Sequence, residues 1–151
     1  MERNNEPHLI IGDIAFDDRG CVSFVNDFSF KNIKRFYMVE NYQQNFVRAW
    51  HAHKNERKYV LVTKGAAIVA AVEIDNWKKP SKDKKIHKFI LSESKPTIVF
   101  IPSGYANGFK SLTKDMKIIF FSTSTLEESK DDDFRYNVDY FGSEVWKIIE
   151  R

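Results

Sequence analysis

Cysteine is almost absent from this chain of 151 residues, in which Cys21 is the single example. A disulfide within the chain is therefore impossible, which excludes the small disulfide-stabilised secreted folds and fits a reducing compartment. Long hydrophobic runs are absent as well, since no apolar stretch approaches the ~20 residues that a membrane-spanning helix needs. The opening segment, residues 1–7, lacks the apolar core of a signal peptide. We therefore expect a cytoplasmic protein with no membrane partner.

Charge of one sign is in only slight excess. The 24 Lys and Arg residues against 21 Asp and Glu residues give a formal net charge of +3 at pH 7. Much of this excess lies in residues 78–88, a lysine-rich segment without any Phe, Tyr or Trp on which a nucleobase would stack. Such a pattern is typical of a solvated loop, so we expect no nucleic-acid partner.

Apolar and aromatic residues, in contrast, are plentiful. They make up 42% and 15% of the chain, and the aromatic set comprises 13 Phe, six Tyr and three Trp residues. The length predicts one domain over residues 1–151, and the apolar content is sufficient for a hydrophobic core. The many aromatic residues favour strands and large apolar pockets over a helical bundle.

Short runs of β-branched and aromatic residues, separated by turn residues, predict a chain made mostly of strands. The predicted strands are residues 21–26, 33–40, 46–53, 58–62, 66–74, 86–91, 97–101 and 116–123. Residues 66–74 are apolar almost throughout, which predicts a strand buried on both faces. Helix is predicted only at residues 142–151 and 125–130. Many short strands with little helix predict an all-β fold, and we expect a jelly-roll β-barrel with a short C-terminal helix.

Two histidines and two basic residues lie close together in the predicted strands. His51 and His53 are two residues apart and so lie on the same face of an extended strand. Arg48 precedes them, and Lys58 begins the next strand. Imidazole, guanidinium and ammonium groups on one surface suit an anionic ligand from which a proton is moved. The alternative interpretation is a half-buried structural histidine beside solvated basic residues.

A metal site is the next possibility to consider. A small β-barrel that binds metal through a His-x-His pair usually adds a carboxylate and a third histidine from a later hairpin. Asn107 stands where that third histidine would fall, and Glu56 lies closer to His53 than the carboxylate ligand should. We therefore expect no metal.

The chemistry that fits these groups is removal of a proton next to a carbonyl. A neutral imidazole, here that of His51, is a suitable base near pH 7. The enolate that forms needs a cation or donor at its oxygen, which Lys58 can supply. Arg48 can hold a phosphate through two hydrogen bonds. Tyr37 fits core packing and a role in the site equally well.

Several motifs resemble the RmlC-like cupin enzymes, which act on nucleotide-linked 4-keto-6-deoxy sugars. Two segments resemble the dTDP-sugar 3,4-ketoisomerase branch: Ile33-Lys-Arg-Phe-Tyr37 and Arg48-Ala-Trp-His-Ala-His-Lys54. Three resemble the dTDP-4-dehydrorhamnose 3,5-epimerase branch: Lys58-Tyr-Val-Leu-Val-Thr-Lys-Gly65, Ile101-Pro-Ser-Gly-Tyr-Ala-Asn-Gly-Phe109 and Phe134-Arg-Tyr-Asn-Val-Asp139. The similarity extends from about Asp13 to Trp146. It implies a cupin-type jelly roll and a homodimer that exchanges N-terminal strands.

The resemblance implies a role for each matching residue. His51 matches the catalytic base of both branches, and Arg48 matches the substrate-binding arginine just before it. Lys58 matches the epimerase lysine that stabilises the enolate. Asp139 matches the carboxylate that orients the base if a one-residue gap is allowed. His53 matches the second histidine of the ketoisomerases.

Further site residues follow from the proposed reaction. Tyr37 or His53 would return a proton or hold the sugar. The nucleobase would stack on Phe109 or Tyr105, and Asn107 would contact the substrate. No cofactor is expected, because the carbonyl itself acidifies the proton that is removed.

The chain departs from the family pattern at two places. Asn107 replaces the histidine of the Ala-His-Gly-Phe motif. The epimerase tyrosine that protonates the opposite face should fall near Thr125 or Leu126, and neither is a tyrosine. Inversion at C3 alone, or a ketoisomerisation, is therefore easier to explain than inversion at two carbons. The loop Asn76-Trp-Lys-Lys-Pro-Ser-Lys82 resembles that of the WxcM-like sugar epimerases of surface-polysaccharide synthesis.

Three hypotheses follow. The first is an isomerase that epimerises a dTDP- or UDP-linked 4-keto-6-deoxy-hexose at C3, or at C3 and C5. The second is a 3,4-ketoisomerase, supported by the His51 and His53 pair and opposed by Lys58. The third is a non-catalytic cupin that binds a sugar nucleotide or senses a metal, supported by the missing tyrosine.

Overall fold

The computed structural model describes residues 5–151. Twelve strands are present: β1 His8–Ile11, β2 Asp13–Asp17, β3 Gly20–Phe24, β4 Arg35–Glu40, β5 Val47–Ala52, β6 Lys58–Lys64, β7 Ala66–Glu73, β8 Ile86–Ser92, β9 Thr97–Ile101, β10 Tyr105–Ser111, β11 Lys117–Ser122 and β12 Phe134–Arg135. The helix α1 covers Leu126–Lys130, and a 3₁₀ helix covers Ser143–Trp146. Among these residues no helix has the length and apolar character to cross a membrane.

The strands form two antiparallel sheets and a separate hairpin. The first sheet has the order β1-β9-β6-β11-β4, the second the order β12-β5-β10-β7-β8, and β2 pairs with β3. Neighbouring strands in each sheet are often distant in the chain, which is the connectivity of a jelly roll. The predicted all-β jelly-roll fold is confirmed.

The main hydrophobic core lies between the two sheets. β7 contributes to it from one face, through Val69 and Ala71, while Ile68 and Val72 on its other face pack in a second cluster with the C-terminal segment. Both faces of β7 are therefore covered, as its unbroken apolar sequence predicts.

Regular alternation in the first sheet brings polar side chains to one end of this core. In β4, Arg35 and Tyr37 point inward, while Phe36 and Met38 are exposed. Ser122 of β11 pairs in register with Arg35 of β4 on one side and with Lys58 of β6 on the other. Because opposite residues in a ladder point to the same face, these three form one row across the inner surface.

In the second sheet, a register shift brings polar side chains of β5 to the inner surface as well. Asn107 of β10 pairs with His51, but Phe109 pairs with Arg48, so β5 carries an extra residue there. In a regular strand, residues three apart point to opposite faces, and the extra residue lets Arg48 and His51 share one face. Gly108 makes the close approach possible, because a Cβ at this position would lie 2.5 Å from the Ala49 Cβ.

The helical segments agree only in part with the prediction. Helix at residues 125–130 is confirmed as α1. Thr125 and Glu128 form a capping box that stabilises its N-terminus. The predicted helix at residues 142–151 is wrong beyond a single 3₁₀ turn, because Lys147 is already extended. Val145 and Trp146 are buried against the second sheet, but Ile148 and Ile149 are exposed, so further turns would bury no apolar face.

Four strands lie outside the predicted set: β1, β2, β10 and β12. The largest of these is β10, whose Asn107 and Gly108 have low strand propensity. Pairing with β5 on one side and β7 on the other imposes the extended conformation. Here tertiary context outweighs local preference.

Candidate functional site

A cavity of about 320 Å³ opens at the end of the barrel where the row of polar residues lies. Its lining residues are Arg35, Tyr37, Val39, Arg48, His51, His53, Lys58, Asn107, Phe109, Phe120, Leu126, Ser129, Lys130, Asp133 and Arg135. Five of these carry a fixed positive charge and one, Asp133, a carboxylate. The cavity is therefore suited to an anionic ligand.

The first sheet forms one wall. Lys58 is buried, and its Nζ lies 5.9 Å from the centre of the Tyr37 ring and 5.7 Å from that of Phe120. The Tyr37 ring stacks on Phe120 with centroids 5.0 Å apart and an interplanar angle of 8°. The aromatic pair fixes the direction of Tyr37 and leaves the ammonium over apolar surface, where its charge is little screened by water.

The second sheet forms the opposite wall. His51 is half-buried and belongs to β5, and Asn107 of the adjacent β10 donates a hydrogen bond from Nδ2 to the His51 backbone oxygen at 3.1 Å. Phe109, also on β10, is buried at the base of the cavity. His51 thus faces Lys58 and Tyr37 across the space between the sheets.

His51 is neutral over most of the physiological pH range. Burial, the charge of Lys58 and the charge of Arg135 lower the pKa of His51 to about 4, against a smaller opposing effect of Asp133. A neutral imidazole has a free lone pair and can accept a proton, as a general base must.

Arg48 is held by a polar network behind the cavity rim. Its Nε donates to Asn41 Oδ1 at 2.7 Å, and Asn41 in turn donates to Ser111 Oγ at 3.2 Å. Asn41 and Ser111 are both buried, so this network has little freedom to move. The guanidinium NH₂ groups of Arg48 make no hydrogen bond within residues 5–151 and are available to a ligand.

His53 is engaged by the protein on both ring nitrogens. Nδ1 contacts the Asp132 backbone oxygen, and Nε2 lies 2.9 Å from the Glu56 carboxylate. Both partners are oxygen acceptors, so both ring nitrogens of His53 are occupied by protein contacts. The Asp132 carboxylate also accepts the backbone N–H groups of Lys54, Asn55 and Glu56, which ties this turn to the segment after α1.

Glu56 is the buried centre of the charged groups beside the cavity. Its side chain is fully buried, and Arg35, Lys58, His53 and the Ser122 hydroxyl surround it. Burial alone would raise the pKa of Glu56, but the His53 hydrogen bond, the Lys58 charge and the Ser122 hydroxyl together lower it to about 2. The carboxylate is therefore ionised at neutral pH.

Two of the residues predicted for the site lie elsewhere. Tyr105 faces a different groove, near Glu73 and Ile74, and its ring lies 6.0 Å from His87. Asp139 is exposed and does not line the cavity. The backbone beside it, at Val138, accepts a hydrogen bond from Trp50, which points away from the core between the sheets. Asp139 thus lies on the outer side of the second sheet and is not positioned to orient His51.

Sequence reasoning missed four residues at or beside the cavity: Arg35, Glu56, Asp133 and Arg135. Arg35 and Arg135 each lie inside a motif that resembles the family, but no role was assigned to them there. The strand register places Arg35 in the row with Lys58, and Arg135 opposite His51. Glu56 was weighed as a metal ligand and not as a partner for several cations. Alternation within the predicted strand 33–40 could have indicated Arg35, since it shares the parity of Tyr37.

No group of three His, Cys, Asp or Glu side chains suited to a metal ion occurs in the described part of the chain. Of the two histidines in the motif, His53 has both nitrogens committed to protein oxygens. The absence of metal in the working protein stays a prediction.

Solved structures resemble this fold closely. The dTDP-4-dehydrorhamnose 3,5-epimerase from Sulfolobus tokodaii is 25% identical, with a TM-score of 0.72 over 89% of this chain and 78% of that chain. ChmJ, a 3'-monoepimerase from Streptomyces bikiniensis in complex with dTDP-quinovose, is 16% identical, with a TM-score of 0.72 over 88% and 70%. QdtA, a sugar 3,4-ketoisomerase from Thermoanaerobacterium thermosaccharolyticum in complex with TDP, is 15% identical, with a TM-score of 0.66 over 91% and 93%.

The last two identities are low enough that those likenesses speak for the fold alone. None of the curated proteins matches this chain at a significant level. The family model described as dTDP-4-dehydrorhamnose 3,5-epimerase matches residues 8–149, nearly the whole chain. The RmlC-like resemblance of the motifs is thereby confirmed, and the chain belongs to the dTDP-4-dehydrorhamnose 3,5-epimerase family.

Proposed function

We propose that this protein is an isomerase that epimerises a dTDP-linked 4-keto-6-deoxy-hexose at C3. The observation that carries the proposal is the position of a neutral imidazole, His51, across a cationic cavity from Lys58 and Tyr37. Family membership supports a nucleotide sugar as substrate. UDP as the nucleotide stays an alternative.

The first step is proton removal at C3. His51 accepts the proton, the C3–H electron pair forms a C3–C4 double bond, and the carbonyl electron pair moves onto the C4 oxygen. Lys58 stabilises the negative charge that develops on this oxygen. No cofactor takes part, because the adjacent carbonyl makes the proton acidic.

Return of the proton from the other face completes the inversion. Tyr37 belongs to the wall opposite His51 and is therefore the better acid, since both ring nitrogens of His53 already contact protein oxygens. In this scheme Tyr37 replaces the tyrosine that the family pattern would place near Leu126.

The nucleotide end of the substrate is anionic, and the cationic rim of the cavity suits it. Arg48 is proposed to bind the diphosphate, with Asn41 holding the guanidinium in place. Lys130 and Arg135 also line the cavity and add positive charge. The stacking of the base on Phe109 or Tyr105 has little support, since the former is buried at the cavity base and the latter lies outside it.

Proton NMR in D₂O tests this function directly. Incubation with a dTDP-linked 4-keto-6-deoxy-glucose should replace the C3 proton by deuterium while the ketone stays at C4. A parallel incubation with the UDP-linked sugar reports the nucleotide preference. Absence of exchange with both sugars, in protein shown to be folded by circular dichroism, would contradict the proposal and favour a non-catalytic binding protein.

Ketoisomerisation is the second candidate. The His51 and His53 pair, which matches the motif of the ketoisomerase branch, favours it. The same NMR spectra distinguish the two, because a ketoisomerase moves the ketone to C3 and an epimerase leaves it at C4.

The pH dependence of the reaction should report the charges around His51. Because the pKa of His51 is lowered to about 4, the base is active above that pH and is lost as the pH falls through it. The Arg135 charge lowers the pKa of His51 and the Asp133 charge raises it. The substitution Arg135→Gln should therefore move the acid limb of kcat/KM to higher pH, and Asp133→Asn should move it to lower pH.

These two residues form an exposed pair with Nε and Oδ2 3.2 Å apart, so either substitution should leave the fold intact. Circular dichroism at each pH provides the control for acid unfolding. Shifts in the same direction, or no shift in either variant, would contradict the assignment of the acid limb to His51.

A homodimer remains a prediction, which sedimentation would test. Phe36 and Met38 are 60% and 71% exposed on β4, an edge strand of the first sheet, and a second copy of the chain is a suitable cover for them. Cytoplasmic location also stays a prediction.

A further inference from the structure

A second cation stands beside Lys58 on the same wall of the cavity. Arg35 and Lys58 pair in register with Ser122 from opposite sides, and all three side chains point inward. The sequence motifs drew attention to Lys58 but not to Arg35. The sheet therefore presents two cationic side chains, one on each side of β11, to the ligand that the cavity binds.

The Arg35 guanidinium is fixed by contacts on two sides. One of its terminal nitrogens, NH2, lies 3.6 Å from Glu56 Oε1, and its central carbon lies 4.8 Å from the centre of the Tyr37 ring. The side chain keeps 25% of its surface exposed, at the cavity. Its rotamer is thus held by an ion pair and by stacking, which leaves little freedom to be lost when a ligand binds.

One donor of Arg35 has no partner. The Nε atom is buried and makes no hydrogen bond within residues 5–151. A buried N–H without an acceptor is costly, and such groups in native proteins generally have a reason to exist. The ion pair with Glu56 and the stacking on Tyr37 hold the guanidinium with this donor turned away from solvent, so a ligand meets the exposed part of the side chain.

The charges beside the cavity also do not balance. Glu56 lies 3.6 Å from Arg35 and 3.9 Å from Lys58, and a single carboxylate cannot neutralise both charges. Asp133, the carboxylate among the lining residues, is already paired with Arg135. Positive charge therefore remains on the wall that faces His51.

We infer that Arg35 is a catalytic residue that joins Lys58 in stabilising the enolate oxygen at C4. The inference rests on the proposed function. When His51 takes the C3 proton, the electron pair reaches the C4 oxygen, and this oxygen accepts hydrogen bonds from a terminal N–H of the Arg35 guanidinium and from the Lys58 ammonium. Two fixed cationic donors act where the negative charge develops and need no reorganisation as it forms. Glu56 positions both of them.

The substitution Arg35→Ala tests this role. Loss of one such donor typically lowers kcat by about 10²- to 10³-fold. The KM should change much less, because the contact strengthens only as the enolate forms. The measurement is the rate of deuterium incorporation at C3 over a range of substrate concentrations. Lys117→Ala provides the control, since Lys117 is exposed on the first sheet, pairs with Glu40 at 3.2 Å and should leave the rate unchanged.

Chemical rescue separates a catalytic role from a structural one. Guanidinium ion added at millimolar concentration should restore part of the exchange rate of Arg35→Ala, and Arg35→Lys should retain part of it by keeping the charge. An Arg35→Ala rate close to that of the unsubstituted protein would overturn the inference and leave the proposed function intact. Loss of activity with a lower Tm and without rescue would also overturn it. Absence of exchange in the unsubstituted protein would overturn both.

Discussion

Replacement of His51 by asparagine should reduce deuterium incorporation at C3 by roughly 10²- to 10⁴-fold, the usual contribution of a general base. His51 is neutral at pH 7 because burial and the charges of Lys58 and Arg135 lower its pKa to about 4. Asparagine keeps a polar side chain of similar size but cannot accept a proton at neutral pH. The rate is measured by proton NMR in D₂O with the dTDP-linked 4-keto-6-deoxy sugar.

Two features make this test specific to the side chain. Asn107 bonds to the backbone oxygen of His51, so that contact survives the substitution. His87→Asn provides a matched control, because His87 lies on β8 outside the cavity and should leave the rate unchanged. Exchange by His51→Asn within a few-fold of the unsubstituted protein would contradict the assignment of His51 as the base.

Replacement of Glu56 by alanine should lower the free energy of unfolding by about 3–5 kcal/mol, the cost typical of breaking a buried charge pair by removing one partner. The Glu56 side chain is fully buried, and its loss would leave Arg35 and Lys58 without this counter-ion and His53 without this contact. The Ser122 hydroxyl would lose its acceptor on Glu56 as well. Urea denaturation at pH 7, followed by circular dichroism, measures the change.

The pH dependence of the unfolding free energy shows whether the charge of Glu56 causes this loss of stability. The pKa of Glu56 is about 2 in the folded protein against an ordinary value of 4.5, so its ionised form stabilises the fold above pH 4.5. This stabilisation is lost as the pH falls from 4.5 to 2. The difference in unfolding free energy between the unsubstituted protein and Glu56→Gln should therefore narrow across that window.

An exposed carboxylate provides the comparison. Glu144 pairs with Lys147 at 3.8 Å, and its side chain is 80% exposed, so Glu144→Gln should change the stability little at any pH. A difference between the unsubstituted protein and Glu56→Gln that stays constant between pH 4.5 and 2 would show that shape, and not charge, governs the effect.

Local sequence patterns were sufficient to predict the strands whose residues alternate regularly between inward and exposed positions or are nearly all apolar. β4 alternates between inward and exposed residues, and β7 is apolar from Ala66 to Val72, so both were predicted within a few residues. The capping residues Thr125 and Glu128 act within one turn, which is why α1 was also predicted correctly. β10 was missed because its extended conformation depends on two neighbouring strands and not on its own residues.

The candidate site residues also divide into those that a local motif predicted correctly and those that depend on the fold. Arg48, His51, Lys58 and Asn107 lie in motifs that recur within the family, and the structure brings them to one cavity. Asp139 was assigned by counting along the chain with a gap, and the fold instead carries its segment to the outer side of the second sheet. Distance along a chain does not show on which side of a sheet a segment lies.

The sequence by itself determined the all-β fold, the family and the residues most suited to bind an anion and move a proton, because these depend on composition, alternation and short motifs. Only the tertiary structure decided which groups surround them. The register of β4, β11 and β6 aligns Arg35 with Lys58, and burial places one carboxylate, Glu56, among several cations. The register shift opposite Gly108 turns Arg48 and His51 to the same side. These are relations between distant segments, and they exist only when the sheets have formed.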